Sequence, residues 1–178
     1  MKTRDIVIFS GERFEVPQGI QRIDHRATHG WQLRYGGTRL YSDHTPDGSG
    51  ASAALAAATR ELLGRIARLP APSKLQRVPS DGKRSDLPVG ITGPVVRQRR
   101  DSGVRDSSLS VSLPRWGAPA QRSSVYIGTE NTYTVAKYKR ALAKAIALRE
   151  HATEIYLRDA TRAKRAAARA LKAQQKAA

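Results

Sequence analysis

The pattern apolar-Pro-x-Gly-Ile occurs twice in this chain, as Val16–Ile20 and as Leu87–Ile91. Each copy opens a series of short segments typical of β-strands, and each series ends in an Ala-rich segment typical of a helix. Self-similarity on this scale indicates a duplicated structural unit. We therefore predict two small units of one fold within the 178 residues, with two similar surfaces that engage one extended partner.

Three segments of the first copy alternate apolar and polar side chains, which predicts a three-stranded antiparallel sheet. They are residues 19–23, 30–35 and 38–42. Alternation places Trp31 and Leu33 toward a core, and Gln32 and Arg34 on the opposite, polar face. Two further apolar segments on either side of Ser10-Gly11 predict a hairpin before this sheet.

The third strand and the helix complete the predicted first unit. On that strand Leu40 points opposite to Arg39 and Tyr41, and we expect Arg39 and Tyr41 on the polar face. Residues 51–68 contain strong helix formers. Apolar residues recur at spacings of three and four, so the predicted helix covers the apolar side of the sheet; they are Leu55, Ala58, Leu62 and Ile66.

The second copy repeats this order of elements. Residues 91–97, 109–113 and 125–128 predict three strands, and a helix is predicted from near Tyr133. Leu109, Val111 and Leu113 are expected to face inward, and Ser108, Ser110 and Ser112 outward, together with Tyr126. The path between the second and third strands is longer and richer in proline than in the first copy.

These patterns predict an α+β protein with five parts. They are an N-terminal hairpin (1–16), a first sheet-and-helix unit (17–69), a linker rich in Pro, Ser and basic residues (70–86), a second unit (87–156) and a basic helical tail (157–178). Beyond Thr161 the tail contains Leu171 as its only large apolar residue. We expect it to be a frayed helix that becomes ordered on an anion.

The net charge of +17 points to a polyanionic partner, and nucleic acid is favoured. An anionic membrane is disfavoured because the most basic segment is mainly Ala and lacks an apolar face, and no apolar run is long enough to span a bilayer. The absence of cysteine excludes disulfides and thiolate sites. We expect a protein of the cytoplasm and nucleoid; its oligomeric state is left open.

An exposed sheet face that carries Arg, Gln and Tyr is suited to double-stranded DNA, because the B-form major groove accepts a β-ribbon. Arg34 and Arg39 are candidates for guanine edges or phosphates. Gln21 and Gln32 are candidates for adenine edges, and Tyr41 for a phosphate or a sugar.

Three segments resemble the AP2/ERF, or integrase-type, DNA-binding domain in its bacterial and phage form. They are Gly19-Ile-x-Arg-Ile-Asp24, Gly30-Trp-Gln-Leu-Arg34 and, in the second copy, Val125-Tyr-Ile-Gly-Thr129. The resemblance covers residues 17–68 and 88–152, and implies two units of three strands on one helix that dock their sheets in the major groove. The contacts that it implies are Gln21, Arg22, Gln32, Arg34, Arg39 and Tyr41, and in the second copy Ser110, Ser112, Ser124 and Tyr126.

Basic residues outside the strands are candidates for phosphate contacts that add affinity without selectivity. In the second unit they are Arg97, Arg99, Arg115 and Arg122. In the tail they are Arg162, Lys164, Arg165, Arg169, Lys172 and Lys176.

A catalytic or metal site is the weaker hypothesis. His25 and His29 lie near Asp24, and His44 lies between Asp43 and Asp47, but neither group supplies a clear third ligand or a catalytic module. We expect no enzyme, no metal and no cofactor, and a DNA-binding regulator or nucleoid-associated protein. The alternative is an RNA- or ribosome-associated basic protein.

Overall fold

A computed structural model of the chain describes residues 1–26, 28–100 and 102–177. These residues form an α+β fold of three antiparallel sheets and two helices, as predicted. The strands are β1 (Thr3–Val7), β2 (Arg13–Pro17), β3 (Ile20–His25), β4 (Thr28–Arg34), β5 (Thr38–Ser42), β6 (Ile91–Gln98), β7 (Arg105–Arg115) and β8 (Ala118–Thr129). The helices are α1 (Ala51–Arg68) and α2 (Val135–Ala177). The sheet orders are β1-β2, β3-β4-β5 and β6-β7-β8.

The chain forms two compact units. The first comprises Met1–Pro72 and Thr161–Ala178, and the second comprises Ser73–Ala160. Helix α2 therefore contributes its residues up to Ala160 to the second unit and its later residues to the first. No helix in the described ranges combines the length and the apolar composition needed to cross a membrane.

The first unit packs α1 against one face of the β3-β4-β5 sheet, which we call the inner face. Trp31 and Leu33 of β4 and Leu62 and Ile66 of α1 are fully buried there. The indole Nε1 of Trp31 donates a 2.8 Å hydrogen bond to the carbonyl of Ala51, the first residue of α1. Because this bond satisfies the polar atom of a buried ring, the ring fixes the start of the helix over the sheet.

The N-terminal hairpin β1-β2 packs on the same side of the sheet. Ile8 is buried in the core, and the Phe14 ring meets the Trp31 ring edge-on at 5.5 Å between centroids. The Phe9 ring lies 4.3 Å from the His29 ring. The inner face of the first sheet is therefore covered by both α1 and the hairpin, and its outer face is turned away from them.

The second unit has a smaller core of the same design. Ile91, Leu109, Val111 and Val125 are buried on the inner face of the β6-β7-β8 sheet. Ala141 and Ala145 of α2 pack on them, and partly buried Tyr138, Leu142 and Ile146 surround this contact. The small alanines let the helix approach the sheet closely.

Strands β7 and β8 are longer than predicted, because residues 114–119 continue the ladder instead of forming a loop. Arg115 pairs with Ala118 across Trp116-Gly117, a two-residue turn in which Gly117 has a φ of 72°. Pro114 lies beyond Val111, the last residue of β7 that pairs with β6 toward this end. Its missing N–H therefore removes no bond to β6.

The glycine turns of the two copies of the repeated motif have the same structure. Gly19 and Gly90 have φ values of 111° and 81°, which favour glycine. The Gly19 carbonyl accepts a 2.7 Å hydrogen bond from the Arg34 amide, and the Gly90 carbonyl accepts a 2.8 Å bond from the Ser112 amide. The motif therefore joins the entry of the first strand of each sheet to the second strand.

The basic tail is a regular helix that packs on the first unit, not a frayed one. Ala168 and Leu171 are only 7% and 6% exposed, and Ala168 belongs to the core that contains Trp31. The amino group of Met1 donates a 3.2 Å hydrogen bond to the Ala167 carbonyl. The expectation that the tail has no face to bury was wrong, because small Ala side chains allow close packing.

Candidate nucleic-acid interface

Strand register decides which side chains share the outer face of the first sheet. Gln21 lies opposite Gln32, and Gln32 lies opposite Leu40. Arg34 lies opposite Thr38. Paired residues of antiparallel strands point to the same side of a sheet, so these five side chains form one continuous surface.

Two side chains of this surface are already oriented toward each other. The Arg34 Nε donates a hydrogen bond to the Gln32 Oε1 at 2.5 Å. Arg34 and the neighbouring Gln21 are exposed. A fixed guanidinium beside amide groups presents the planar donors and acceptors that suit guanine and adenine edges.

Arg39 and Tyr41 lie on the inner face of the sheet, so their predicted place on the outer face was wrong. They pair with Leu33 and Trp31, which are both fully buried. The Arg39 guanidinium stacks 5.2 Å from the centre of the Tyr41 ring, and this ring packs partly buried against the core. The same register turns Leu40 outward, where it is 42% exposed.

Arg22 is also directed inward, and only 6% of its side chain is exposed. Its guanidinium donates to both carboxylate oxygens of Asp43, at 3.0 and 2.5 Å, and to Asp24 at 2.9 Å, and it lies 4.9 Å from the Trp31 ring centre. Burial opposes its charge, but the hydrogen bonds to the two carboxylates outweigh this effect and raise the pKa of Arg22. Arg22 therefore braces the inner face, and the structure does not present it to a partner as the resemblance implied.

The outer face of the second sheet carries hydroxyl side chains on all three strands. They are Thr92, Ser108, Ser110, Ser112 and Ser124. Tyr126 lies opposite Ser108 and is 53% exposed, and Arg122 lies opposite Ser112. The outward facing predicted for the β7 serines and Tyr126 is confirmed.

Basic side chains flank these hydroxyl groups at both ends of the sheet. Arg97 and Arg99 lie where β6 turns into β7, and the Arg99 Nε donates to Asp106 at 3.1 Å. Arg115 lies at the opposite end, where its Nε donates to the Pro119 carbonyl at 3.1 Å. Arg97 and Arg122 therefore share the outer face with the hydroxyl groups, whereas Arg115 follows Leu113 by two residues and lies on the inner side of β7.

The cations of the tail lie along the helix that packs on the first unit. Arg162, Arg169 and Lys172 are exposed. Lys164 and Arg165 are half-buried, and burial lowers the pKa of Lys164. The Arg165 Nε donates to the Ile66 carbonyl of α1 at 3.4 Å. Lys176, also among the predicted phosphate contacts, falls outside the residues whose side chains the structure describes.

The histidines considered as ligands do not converge. His25 pairs with Thr28 on the outer face, whereas His29 pairs with Asp24 on the inner face and its Nδ1 lies 3.0 Å from the Asp24 carboxylate. The amide of His44 donates to the Ser42 hydroxyl at 3.1 Å. Within the described ranges, no three His, Cys, Asp or Glu side chains are grouped so as to hold a metal ion.

No family model, curated protein or solved structure matches this chain. The candidate interface therefore rests on the register, exposure and charge of the residues described above.

The predicted contacts left out several outer-face residues. Leu40 and Thr38 are among those of the first sheet, and Thr92 and Ser108 are among those of the second. The length of the loop between β4 and β5 could have predicted that Leu40 and Thr38 face outward. Three residues, 35–37, separate the paired Arg34 and Thr38, and this number fixes which β5 side chains face outward.

Proposed function

We propose that the protein binds double-stranded DNA through the outer faces of its two three-stranded sheets and acts as a transcriptional regulator or nucleoid-associated protein. The main support for this proposal is that both three-stranded sheets have the same strand order and present polar side chains on their outer faces. The net charge of +17 supports an anionic partner. The AP2/ERF resemblance implies the same use of the sheet.

The first unit supplies the side chains suited to base edges. The exposed Arg34 and Gln21 flank Gln32 on the outer face. The bond between Arg34 and Gln32 reduces the rotational freedom that would be lost on binding. We expect this surface to provide most of the sequence preference.

The second unit supplies a surface suited to positioning. Its serines are short and suited to either base edges or phosphates, whereas Arg97 and Arg122 near the two ends are suited to phosphates. Phosphate contacts fix the orientation of a protein on the duplex without selecting a sequence. We expect this unit to contribute mainly salt-dependent affinity.

A duplex fits the outer faces better than unpaired RNA does. Proteins that bind single strands stack bases on exposed aromatic rings. Among the paired outer-face residues that the structure describes, the aromatic rings are those of Tyr126 and, at the end of β3, His25. Hydrogen-bonding groups predominate, as recognition in a groove requires.

The test compares two arginines on opposite faces of one sheet. Arg34→Ala and Arg39→Ala remove the same charge from exposed positions. We expect Arg34→Ala to weaken binding to a preferred duplex about tenfold, the effect of losing one base-edge contact. Arg39→Ala should weaken it less than about threefold, because it changes only the long-range field. Fluorescence anisotropy with labelled duplexes selected from a random pool measures both.

Equal losses in the two variants would contradict the use of the outer face. A parallel titration with single-stranded and double-stranded RNA of the same sequence tests the partner. RNA bound at least as tightly as the DNA duplex, with Arg34→Ala affecting both equally, would favour the RNA-binding alternative.

A further inference from the structure

A groove runs between α1 and the C-terminal segment of α2 within the first unit. It is lined on one side by Arg60, Leu63 and Ala67, and on the other by Arg165, Arg169 and Lys172. Residues spaced by three, four or seven positions share one face of a helix, so each helix presents a continuous stripe to the groove. The groove has a volume of about 640 Å³.

The floor of the groove is apolar. Leu63 is half-buried, Ala67 is exposed, and Ala168 closes the bottom where α2 packs on the core. The floor continues along α1 to Leu55. The thirteen residues from Leu55 to Ala67 span about 18 Å of helix, which matches three turns of a partner helix.

The rim of the groove is basic. Arg60, Arg165, Arg169 and Lys172 contribute four cations, and none of the described residues that line this part is acidic. Glu15 lies at the far end, beside Leu55. The positive field is therefore concentrated at the Ala67 end, where an acidic partner gains most.

We propose that this groove binds an acidic amphipathic helix of another protein. Apolar side chains of such a helix would fill the space above Leu63 and Ala67, and its acidic side chains would meet the basic rim. Helices commonly pack into grooves between neighbouring helices at distances of 8–10 Å between axes. A DNA backbone presents mainly charged phosphates and polar oxygens, with little apolar surface to cover the floor, so a duplex fits this groove less well. The site lies on the α1 side of the first unit, opposite the outer face, and does not depend on DNA binding.

The test uses the full chain and a labelled synthetic peptide of 15 residues. The peptide has Leu at positions spaced by three and four, and Glu and Ala elsewhere. A control peptide has the same composition in scrambled order, without the apolar stripe. In fluorescence anisotropy at about 150 mM salt, where the Debye length is about 8 Å, we expect the striped peptide to bind at least about tenfold more tightly.

Two variants locate the binding site. Ala67→Trp fills the groove without changing charge, and Arg169→Glu reverses one charge on the rim. Each should weaken binding of the striped peptide at least about tenfold. Ala143→Trp and Arg140→Glu make the same changes at exposed positions of α2 in the second unit and should alter affinity less than about twofold.

Equal binding of the striped and scrambled peptides would overturn the proposal, since it would mean attraction by charge alone. Unchanged affinity in Ala67→Trp would overturn it as well. If circular dichroism shows that Ala67→Trp has lost helix, Arg60→Ala replaces it, and unchanged affinity in Arg60→Ala has the same meaning. Displacement of the peptide by a DNA duplex, with duplex binding itself weakened by Ala67→Trp, would assign the groove to DNA.

Discussion

The two units share one backbone arrangement and fill it with different side chains. Both sheets have the order of consecutive strands, and in both the glycine of the repeated motif accepts a hydrogen bond from the second strand. Ile20 and Ile91 are both 1% exposed. The helices pack through alanines spaced by four, Ala54 and Ala58 in one unit and Ala141 and Ala145 in the other. The glycine turn and the alanine contact are therefore what the fold requires.

The inner faces differ in polarity. In the first unit the Arg22–Asp43 ion pair lies beside the fully buried Trp31. In the second unit Leu109 takes the place of Trp31 in the register, and Ile127 is buried near the end of β8. In the first unit the N-terminal hairpin also packs over the inner face. It helps to exclude solvent from the Trp31 ring and from the Arg22–Asp43 pair. The same arrangement of strands and helix can thus enclose a core with a buried ion pair or an apolar core.

The largest expected effects on stability come from truncating a buried side chain in each of the two cores. Trp31→Ala should lower the free energy of unfolding by about 4 kcal/mol, because a fully buried ring and its bond to Ala51 are lost. Leu109→Ala in the second unit should cost about 3 kcal/mol. Urea denaturation gives the totals, and amide hydrogen exchange shows which unit loses protection. A cost below about 1 kcal/mol for Trp31→Ala would contradict a core built around this ring.

Breaking the ion pair tests the polar feature that distinguishes the first unit. Asp43→Asn leaves the buried Arg22 charge without its bidentate partner and should cost about 3 kcal/mol. The double variant Arg22→Met/Asp43→Leu makes the first unit resemble the second and should regain most of this loss. A double variant as unstable as the single one in urea denaturation would show that the pair also stabilises the fold directly.

The shared glycines should be equally intolerant of a side chain. Gly19→Ala and Gly90→Ala each place an L-residue at positive φ and should cost about 1–2 kcal/mol. An added Cβ would lie 3.3 Å from Leu62 at Gly19 and 2.8 Å from Arg149 at Gly90. Gly82→Ala, where a Cβ meets open space, is the matched control and should change stability by less than about 0.5 kcal/mol. Thermal melts of the three variants would reveal any asymmetry between the copies.

The two smallest expected effects concern acidic residues, and the larger of the two is that of Asp24. Burial opposes the charge of Asp24, but hydrogen bonds from Arg22 and His29 outweigh it and lower its pKa below the ordinary value of 3.8. The unfolded chain therefore takes up this proton at a higher pH than the folded chain does. The stabilisation is present above about pH 3.8 and is lost as the pH falls through the lower folded-state pKa. The urea midpoints of wild type and Asp24→Asn should differ at pH 6, and the difference should narrow as the pH falls below 3.8.

In the second unit, the exposed Glu130 is the acidic residue to compare with Asp24. The hydrogen bond from the Arg105 side chain, together with one from its backbone, lowers the pKa of Glu130. Because solvent screens this pair, Glu130→Gln should shift the urea midpoint at pH 6 less than Asp24→Asn does. A larger shift for Glu130→Gln would remove this distinction between the units.

Much of the fold followed from residues close together in the sequence. The alternation around Trp31 and Leu33 and the spacing of Leu62 and Ile66 correctly gave the core of the first unit. The alternation within β8 also correctly predicted that Tyr126 faces outward. The facing of Arg39 was not, because alternation within β5 leaves two choices, and the three-residue loop before it selects one.

The sequence by itself determined the duplication, the order of strands and helices, the alternation within each strand and the strong positive charge. These features depend on neighbouring residues and on composition. Only the tertiary structure decided that Arg22 pairs with Asp43, that Arg39 turns inward, and that the tail packs along α1. Each of these contacts joins residues that are separated in sequence or across a turn, so its free energy depends on how the elements pack rather than on any local pattern.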